Sequence, residues 1–254
     1  MSGDVSGGVS SEVSSEVSSE VSGASGRLAG RRLYLCAPDR PDLEHFLDAC
    51  IRGGVDLVQL RDKTQPARAV IERGRLAKRI CDAYGVPLIV NDRPDLALEI
   101  GADGVHVGQE DAPPSLARHI MGTDAIVGLS THAPVEAQAS LAEPVDYISA
   151  GPVQPTPTKP GRPGTGLAYV TTAVTAAKAL SRPVFVTGGV TPDSVPAITA
   201  AGARHFVVVR FLTESPDPFG DARRLVAAIE AALARAQEIA RPPEAGTADQ
   251  MPIR

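Results

Sequence analysis

Short hydrophobic runs alternate with longer amphipathic segments along most of the chain. From Arg31 onward the runs are rich in Val, Ile, Leu and Ala, and each ends at Gly, Pro or polar residues. Nearly continuous hydrophobic runs of this length are typical of parallel strands that are buried on both faces. The pattern predicts eight strands, at Leu33–Ala37, Val55–Leu60, Val86–Val90, Gly104–Val107, Ile126–Ser130, Val145–Ala150, Val184–Thr187 and Phe206–Val209.

The segments between these runs have helical periodicity. Helices are predicted at Pro41–Arg52, Pro66–Tyr84 and Pro192–Ala201, and a last one from about Phe219 to Ala240. Proline near the first turn and glycine before the next strand are ordinary helix start and stop signals.

Eight strand–helix units predict a single-domain α/β fold, the (βα)₈ or TIM barrel, over residues 31–240. An open, doubly wound sheet is the alternative architecture. Such a sheet would be expected to carry a Gly-x-Gly-x-x-Gly turn after its first strand, and the sequence has none there.

Both ends of the chain differ from the barrel region. Residues 1–26 contain a repeated Val-Ser-Ser-Glu unit, whose isolated valines cannot form a core, so we expect a disordered Ser/Glu/Val-rich tail. A weak helical stripe is the alternative, but serine disfavours helix. Residues 241–254 are predicted to be a second tail.

Charge and cysteine usage exclude several classes of protein. The formal net charge is −5, which disfavours a nucleic-acid binder or a protein of anionic membrane surfaces. No stretch has the length of a membrane span, and no secretory segment is evident. Three cysteines without metal-ligand spacing then favour reduced thiols and a cytoplasmic protein.

Polar residues gather directly after the predicted strands. The carboxyl ends of barrel strands meet at one mouth, where active sites of this fold lie, so these residues are expected to converge. They are Gln59-Leu60-Arg61-Asp62-Lys63, Asn91-Asp92, His106, Gln109-Glu110-Asp111, Ser130-Thr131-His132, Gly151 to Lys159, Gly188-Gly189 and Arg210.

The residue types in this set indicate phosphate chemistry. Arg61, Lys63 and Lys159 would repel one another at a shared mouth unless an anion lay between them. Asp92 and Asp111 are hard oxygen donors of the kind that hold Mg²⁺ together with phosphate oxygens. The combination predicts a metal-dependent diphosphate site.

A second phosphate site is predicted at the turn Gly188-Gly189. Glycines that precede a helix leave backbone N–H groups accessible to an anion. Barrels of this type often bind a monophosphate in the loops after strands seven and eight.

Each of these residues also has an ordinary structural explanation. Asp92 and Asp111 could cap the helices that follow them. Thr156 and Thr158 could stabilise turns in a proline-rich loop, and His106 could be a hydrogen-bonded core residue. These explanations are reasonable one at a time, but they do not account for the shared location.

The motifs together resemble thiamine-phosphate synthase. The resemblance rests on the run Gln59 to Lys63, on Asn91-Asp92, on the run from Gly104 to Asp111, and on Thr156-Pro157-Thr158-Lys159-Pro160-Gly161, with Gly188-Gly189-Val190 at the family's phosphate loop. It covers the chain from about Arg32 to Ala234, in the same order and with similar spacing.

The resemblance implies a (βα)₈ barrel that joins a hydroxymethylpyrimidine diphosphate to a thiazole phosphate and releases pyrophosphate. It implies that the pyrimidine diphosphate is held by Gln59, Arg61, Lys63, Asn91, Ser130 and Lys159, with Leu60 and Asp62 in the same motif. It implies Mg²⁺ at Asp92 and Asp111. It places the thiazole phosphate among Thr156, Thr158, Gly189, Val209 and Arg210.

The family's mechanism is dissociative, so pyrophosphate leaves before the thiazole nitrogen attacks. The residues agree with this, since no activated nucleophile is evident. The catalytic task falls to Arg61, Lys63, Ser130 and Lys159, which would stabilise charge on the leaving group.

Two residues depart from the family's pattern. Gln154 stands where an apolar residue is expected, and Arg210 stands where many members have serine. Arg210 could bind the thiazole phosphate, or it could turn outward to an acid such as Glu214 or Asp217.

Three other functions compete with the synthase. A thiazole tautomerase would not need both carboxylates and the cation cluster. A different phosphate-binding isomerase or lyase would need a clear general base, and none stands out. A non-catalytic sensor of thiamine precursors would keep the binding groups without turnover.

Overall fold

Eight parallel strands form a closed barrel, which confirms the predicted (βα)₈ fold. The computed structural model describes residues 24–157, 161 and 163–241. Each strand pairs with the next along the chain, and the last pairs with the first through the register Leu33↔Phe206. The strands are β1 Leu33–Ala37, β2 Leu57–Leu60, β3 Leu88–Asn91, β4 Gly104–Val107, β5 Ile126–Thr131, β6 Tyr147–Ala150, β7 Val184–Thr187 and β8 His205–Val208.

Helices surround the barrel. They are α1 Ala24–Leu28, α2 Leu43–Arg52, α3 Ala67–Ala83, α4 Pro94–Ile100, α5 Pro114–Met121, α6 Pro134–Ala139, α7 Gly166–Lys178, α8 Val195–Ala200, α9 Arg210–Thr213 and α10 Pro218–Ala240, with a 3₁₀ turn at Ser140–Ala142. Proline is the first residue of α4, α5, α6 and α10, where its missing N–H costs no hydrogen bond. No helix in the described ranges has the length and apolar character needed to cross a bilayer.

Alternate strand residues form two hydrophobic layers. Leu33 and Leu35 of β1 point outward and pack with the helices, in the larger cluster of buried residues. Tyr34 and Cys36 point inward. The inner layer also contains Leu57, Ile89, Ile126, Tyr147, Phe185 and Val207, so side chains fill the barrel below its mouth.

The short helix α1 closes the amino-terminal end of the barrel. Ala24 and Leu28 belong to the inner cluster, and Leu28 is only 1% exposed. The Arg27 guanidinium donates to Asp103, the residue before β4. The helix therefore starts inside the segment 1–26 that was predicted as a tail. The rest of that predicted tail, and the second tail from residue 242, lie outside the described residues.

Strands β2, β3 and β6 begin two residues later than the hydrophobic pattern predicts. An aspartate precedes β2 and β6. The Asp56 carboxylate accepts hydrogen bonds from the backbone N–H groups of Arg32 and Leu33, at 2.6 and 2.9 Å. Asp146 accepts similarly from Val127 at 2.7 Å. The valines at 55 and 145 thus end the preceding loops, and β2 and β6 start at Leu57 and Tyr147.

Candidate active site

A cavity of about 390 Å³ opens at the carboxyl ends of the strands. It brings together many of the residues that the sequence singled out. Those in its wall are Gln59, Arg61, Asn91, His106, Ser130, Gln154, Thr156, Gly188, Gly189, Val209 and Arg210. The predicted convergence at one mouth is therefore confirmed for these positions.

The motif that follows β2 is divided between the cavity and its surroundings. Gln59 is buried and, like Arg61, lies in the cavity wall. Leu60 alternates with Gln59 along the strand, so its side chain points outward and is buried in the outer layer. It therefore does not reach the cavity, although the sequence predicted a substrate-binding role for it. Asp62 accepts hydrogen bonds from the backbone of Thr64 and Gln65, which indicates a role in shaping the loop.

Asn91 ends β3 with its amide in the cavity wall. The side chain is 7% exposed, and its Nδ2 has no hydrogen-bond partner among the described residues. A buried amide without a partner is costly in a folded protein, by about 1–3 kcal/mol. An acceptor that is not among the described residues, such as a ligand oxygen or a water, would satisfy this donor.

Asp92 and Asp111 form a pair of neighbouring carboxylates beside the cavity. Asp92 has a left-handed backbone with φ 63°, a conformation that few residues other than glycine adopt. Its carboxylate lies 2.7 Å from the Lys63 ammonium. Burial raises the pKa of Asp92. The Lys63 ammonium lowers this pKa, and the Asp111 carboxylate raises it.

The helix-capping explanation for these aspartates is not what the structure shows. The cap residues of α4 and α5 are Arg93 and Pro113, and neither helix has a side-chain cap. Asp111 instead accepts from the Gly108 N–H at 2.7 Å. Within the part of the chain described, no group of three or more His, Cys, Asp or Glu side chains is arranged to hold a metal ion, so the protein offers two carboxylates here.

The opposite wall of the cavity is a glycine turn. Gly188 and Gly189 both have positive φ, at 96° and 78°, which explains the need for glycine. A Cβ on Gly188 would also collide with Pro152, and one on Gly189 would meet the Gln154 amide. The polar Gln154 thus lies directly against the turn that was predicted to bind a phosphate.

Arg210 adopts the outward of its two predicted arrangements. Its Nε and Nη2 donate to the two carboxylate oxygens of Glu214, at 2.7 and 2.9 Å. Both side chains are at least half exposed at the rim of the cavity. The Arg210 side chain therefore pairs with Glu214 and does not point toward the predicted phosphate site.

The loop after β6 is described only in part. Thr156 lies in the cavity wall. The predicted site residues Thr158 and Lys159 lie outside the described residues.

A buried polar network beneath the cavity was not predicted from the sequence. The network runs from Cys36 through Gln59, Tyr34, Tyr147 and His106 to Ser130. Ser149 adds a longer contact to Ser130 at 3.4 Å. These side chains occupy the inward-facing positions of their strands, but both faces of each strand are buried, so no signal in the sequence separated them from the outer layer. His106 is buried and hydrogen-bonded, in agreement with the structural role considered for it from the sequence.

The family model and the curated relatives agree on one family. A family model described as thiamine monophosphate synthase matches residues 33–212. The chain is 48% identical to the thiamine-phosphate synthase of Thermobifida fusca over 213 residues, which are 81% of this chain and 97% of that protein. It is 47% identical over 199 residues to a thiamine-phosphate synthase of Thermus thermophilus, covering 76% and 95% of the two chains.

A solved structure extends the similarity to the fold. The thiamine phosphate pyrophosphorylase of Pyrococcus furiosus superposes with a TM-score of 0.71 at 28% identity. The match covers 80% of this chain and 97% of that one. The residues matched by the family model include all eight strands of the barrel.

Proposed function

The chain belongs to the thiamine monophosphate synthase family, and we propose that its cavity joins a hydroxymethylpyrimidine diphosphate to a thiazole phosphate. The protein is a transferase of thiamine biosynthesis. In the proposed reaction, the bond between the pyrimidine methylene carbon and the diphosphate oxygen breaks, and pyrophosphate leaves with the electron pair. The thiazole nitrogen then forms a new bond to that carbon, which gives thiamine phosphate.

The observation that carries this proposal is the unpartnered amide of Asn91. Its buried Nδ2 lies in the same cavity wall as Arg61, and within the described ranges no ion pair involves Arg61. A neutral donor and a cation that both lack acceptors among the described residues suit a polyanion with several oxygens. A diphosphate would supply those acceptors.

The two aspartates fit a divalent cation. They are hard oxygen donors, and the Asp111 carboxylate disfavours ionisation of Asp92, so a cation between them would relieve that repulsion. We propose that Asp92 and Asp111 hold Mg²⁺, with the remaining ligands coming from water and substrate oxygens. When bound, the ion would neutralise charge on the diphosphate.

The protein's own groups complete the stabilisation of the leaving group. Arg61 presents a guanidinium fork at the cavity wall. Lys63 is half exposed and paired with Asp92, so it can turn toward a diphosphate. Ser130 is buried at the end of β5 and can donate one hydrogen bond. With Lys159, these groups would bind pyrophosphate more tightly as its charge develops, which favours a dissociative path.

The thiazole phosphate is proposed to bind on the opposite wall. The Gly188-Gly189 turn and Val209 at the start of α9 surround this side of the cavity, and Thr156 lies near them. Thr158 and the backbone of Arg210 complete the proposed set. The two proposed phosphate sites would then face each other, with the two reacting groups between them.

We further propose a cytoplasmic location. All three cysteines, Cys36, Cys50 and Cys81, are buried, and none of them forms a disulfide. Burial raises the pKa of both Cys50 and Cys81 to about 12, so these two are unreactive.

The test is product formation by the purified full chain with both substrates and Mg²⁺. We expect thiamine phosphate and pyrophosphate in equal amounts, and neither product when one substrate is omitted. Binding of both substrates without turnover would favour a sensor. Conversion of the thiazole phosphate alone would favour a tautomerase.

A further inference from the structure

Hydrogen bonds beneath the cavity connect six buried side chains in series. Gln59 Nε2 donates to the Tyr34 hydroxyl at 2.6 Å, and Tyr34 lies 2.9 Å from the Tyr147 hydroxyl. Tyr147 lies 2.9 Å from His106 Nδ1. The other ring nitrogen, Nε2, lies 2.9 Å from Ser130 Oγ.

The amide of Gln59 sets the direction of every hydrogen bond in this series. The Cys36 thiol donates to Gln59 Oε1 at 3.3 Å, so the amide nitrogen faces Tyr34. A tyrosine hydroxyl has one hydrogen. Because Tyr34 accepts from Gln59, its own hydrogen goes to Tyr147. Tyr147 accepts that bond, so its hydrogen goes to His106 Nδ1.

His106 transmits this order to the cavity. An imidazole whose Nδ1 accepts a hydrogen bond carries its hydrogen on Nε2, which then donates to Ser130. Burial raises the pKa of Tyr34 and Tyr147 well above the ordinary range, so both hydroxyls keep their hydrogens. In this order Ser130 Oγ accepts from His106 and, at 3.4 Å, from Ser149 Oγ. That leaves the hydrogen of Ser130 for a group in the cavity, whose wall includes this residue.

We infer that Tyr34, Tyr147 and His106 are positioning residues, which hold His106 as the Nε2–H tautomer and turn the Ser130 hydroxyl hydrogen toward the substrate. The inference rests on the proposed function, in which Ser130 donates to the departing diphosphate. The reversed amide orientation of Gln59 would invert the series, place the hydrogen on His106 Nδ1, and make Ser130 donate to the histidine instead of the substrate.

The first test measures the tautomer directly in the full chain without substrate, so it does not depend on activity. Nitrogen-15 NMR of ring-labelled histidine, with His106 assigned through bonds to its own backbone, distinguishes the two nitrogens. We expect Nε2 to be protonated and Nδ1 to be bare. A proton on Nδ1, or equal populations of the two tautomers, would overturn the inference even if the protein proves to be a synthase.

The second test asks whether Tyr147 acts through Ser130. Tyr147→Phe keeps the ring and removes the donor to His106, so kcat should fall roughly tenfold, with little change in KM for the thiazole phosphate. In a Ser130→Ala background the same change should have no further effect on kcat, since the hydrogen it orients is gone. Equal losses in both backgrounds would contradict the inference.

Tyr169→Phe is the matched control. Tyr169 lies in α7, is also buried at 5% exposure, and is not part of the network. We expect this variant to keep wild-type kcat. A loss equal to that of Tyr147→Phe would mean that removing any buried tyrosine hydroxyl impairs the barrel, and it would overturn the specific role of Tyr147.

Discussion

The Tyr147 ring occupies the interior of the barrel in the space that a side chain on Gly128 would need. The two residues are direct register partners on β5 and β6, and a Cβ at position 128 would overlap the tyrosine ring at Cζ, Cε1 and the hydroxyl. The buried network therefore depends on a glycine one strand away.

Gly128→Ala is expected to destabilise the barrel by about 1–3 kcal/mol, because overpacking forces the ring or the strand to move. Thermal unfolding measures this effect. Tyr147→Leu removes the overlapping atoms, so the double variant should lose less stability than the two single losses added together. Strict additivity would mean that the ring and residue 128 do not compete for space.

The architecture was predictable because each hydrophobic run is short, rich in aliphatic residues and followed by a helical segment. The starts of β2, β3 and β6 were wrong by two residues. Asp56 and Asp146 bind the backbone of a neighbouring strand through their side chains, and that contact is not visible in a hydrophobic pattern.

The site was predictable at the level of motifs but not in every side chain. Gln59 and Arg61 lie in the cavity wall, whereas Leu60 points outward. A motif match assigns every residue of the motif to the site, but successive residues of a strand point to opposite faces. Tyr34 and Tyr147 were missed because both faces of a barrel strand are buried. The sequence alone does not distinguish the inner layer from the outer one.

Asp56 should make stability fall as pH rises between about 4 and 6. Burial raises the pKa of Asp56 to about 6, although the N–H groups of Arg32 and Leu33 oppose the shift. In this window the unfolded chain has released the proton and the folded protein retains it. The free energy of unfolding then decreases by at most about 3 kcal/mol.

Urea unfolding of the wild type and Asp56→Asn at pH 4, 5, 6 and 7 checks this prediction. The variant can have a different absolute stability, but the decline assigned to Asp56 should be missing from its pH profile. Parallel profiles for the two proteins would show that Asp56 ionises alike in the folded and unfolded chains.

Glu214 should limit the contribution of Arg210 to phosphate binding. The guanidinium is engaged by Glu214 and half exposed, so Arg210→Ser should change KM for the thiazole phosphate by less than about twofold. Glu214→Gln releases the guanidinium and should lower that KM by roughly two- to fivefold at low salt. The double variant, Arg210→Ser with Glu214→Gln, should not show this lower KM. A large rise in KM for Arg210→Ser alone would show that the side chain reaches the phosphate.

Two amino-terminal truncations should differ in stability. Removal of residues 1–22 leaves α1 intact, so the melting temperature should stay the same. Removal of residues 1–29 exposes the end of the barrel by taking away Ala24 and Leu28, which should cost about 2–3 kcal/mol. Equal melting temperatures for the two truncated proteins would mean that α1 does not stabilise the barrel.

The most direct test of the proposed site is the Mg²⁺ dependence of thiamine phosphate formation in carboxylate variants. Asp95→Asn is the control, since Asp95 lies on the neighbouring α4 and forms an exposed ion pair with Arg93. Asp92→Asn and Asp111→Asn should each need roughly tenfold more Mg²⁺ for half-maximal rate and should turn over more slowly, because each loses a charged ligand. Asp95→Asn should match the wild type. If Asp92→Asn and Asp111→Asn both need no more Mg²⁺ than the wild type, the proposal that these two carboxylates hold the ion is contradicted.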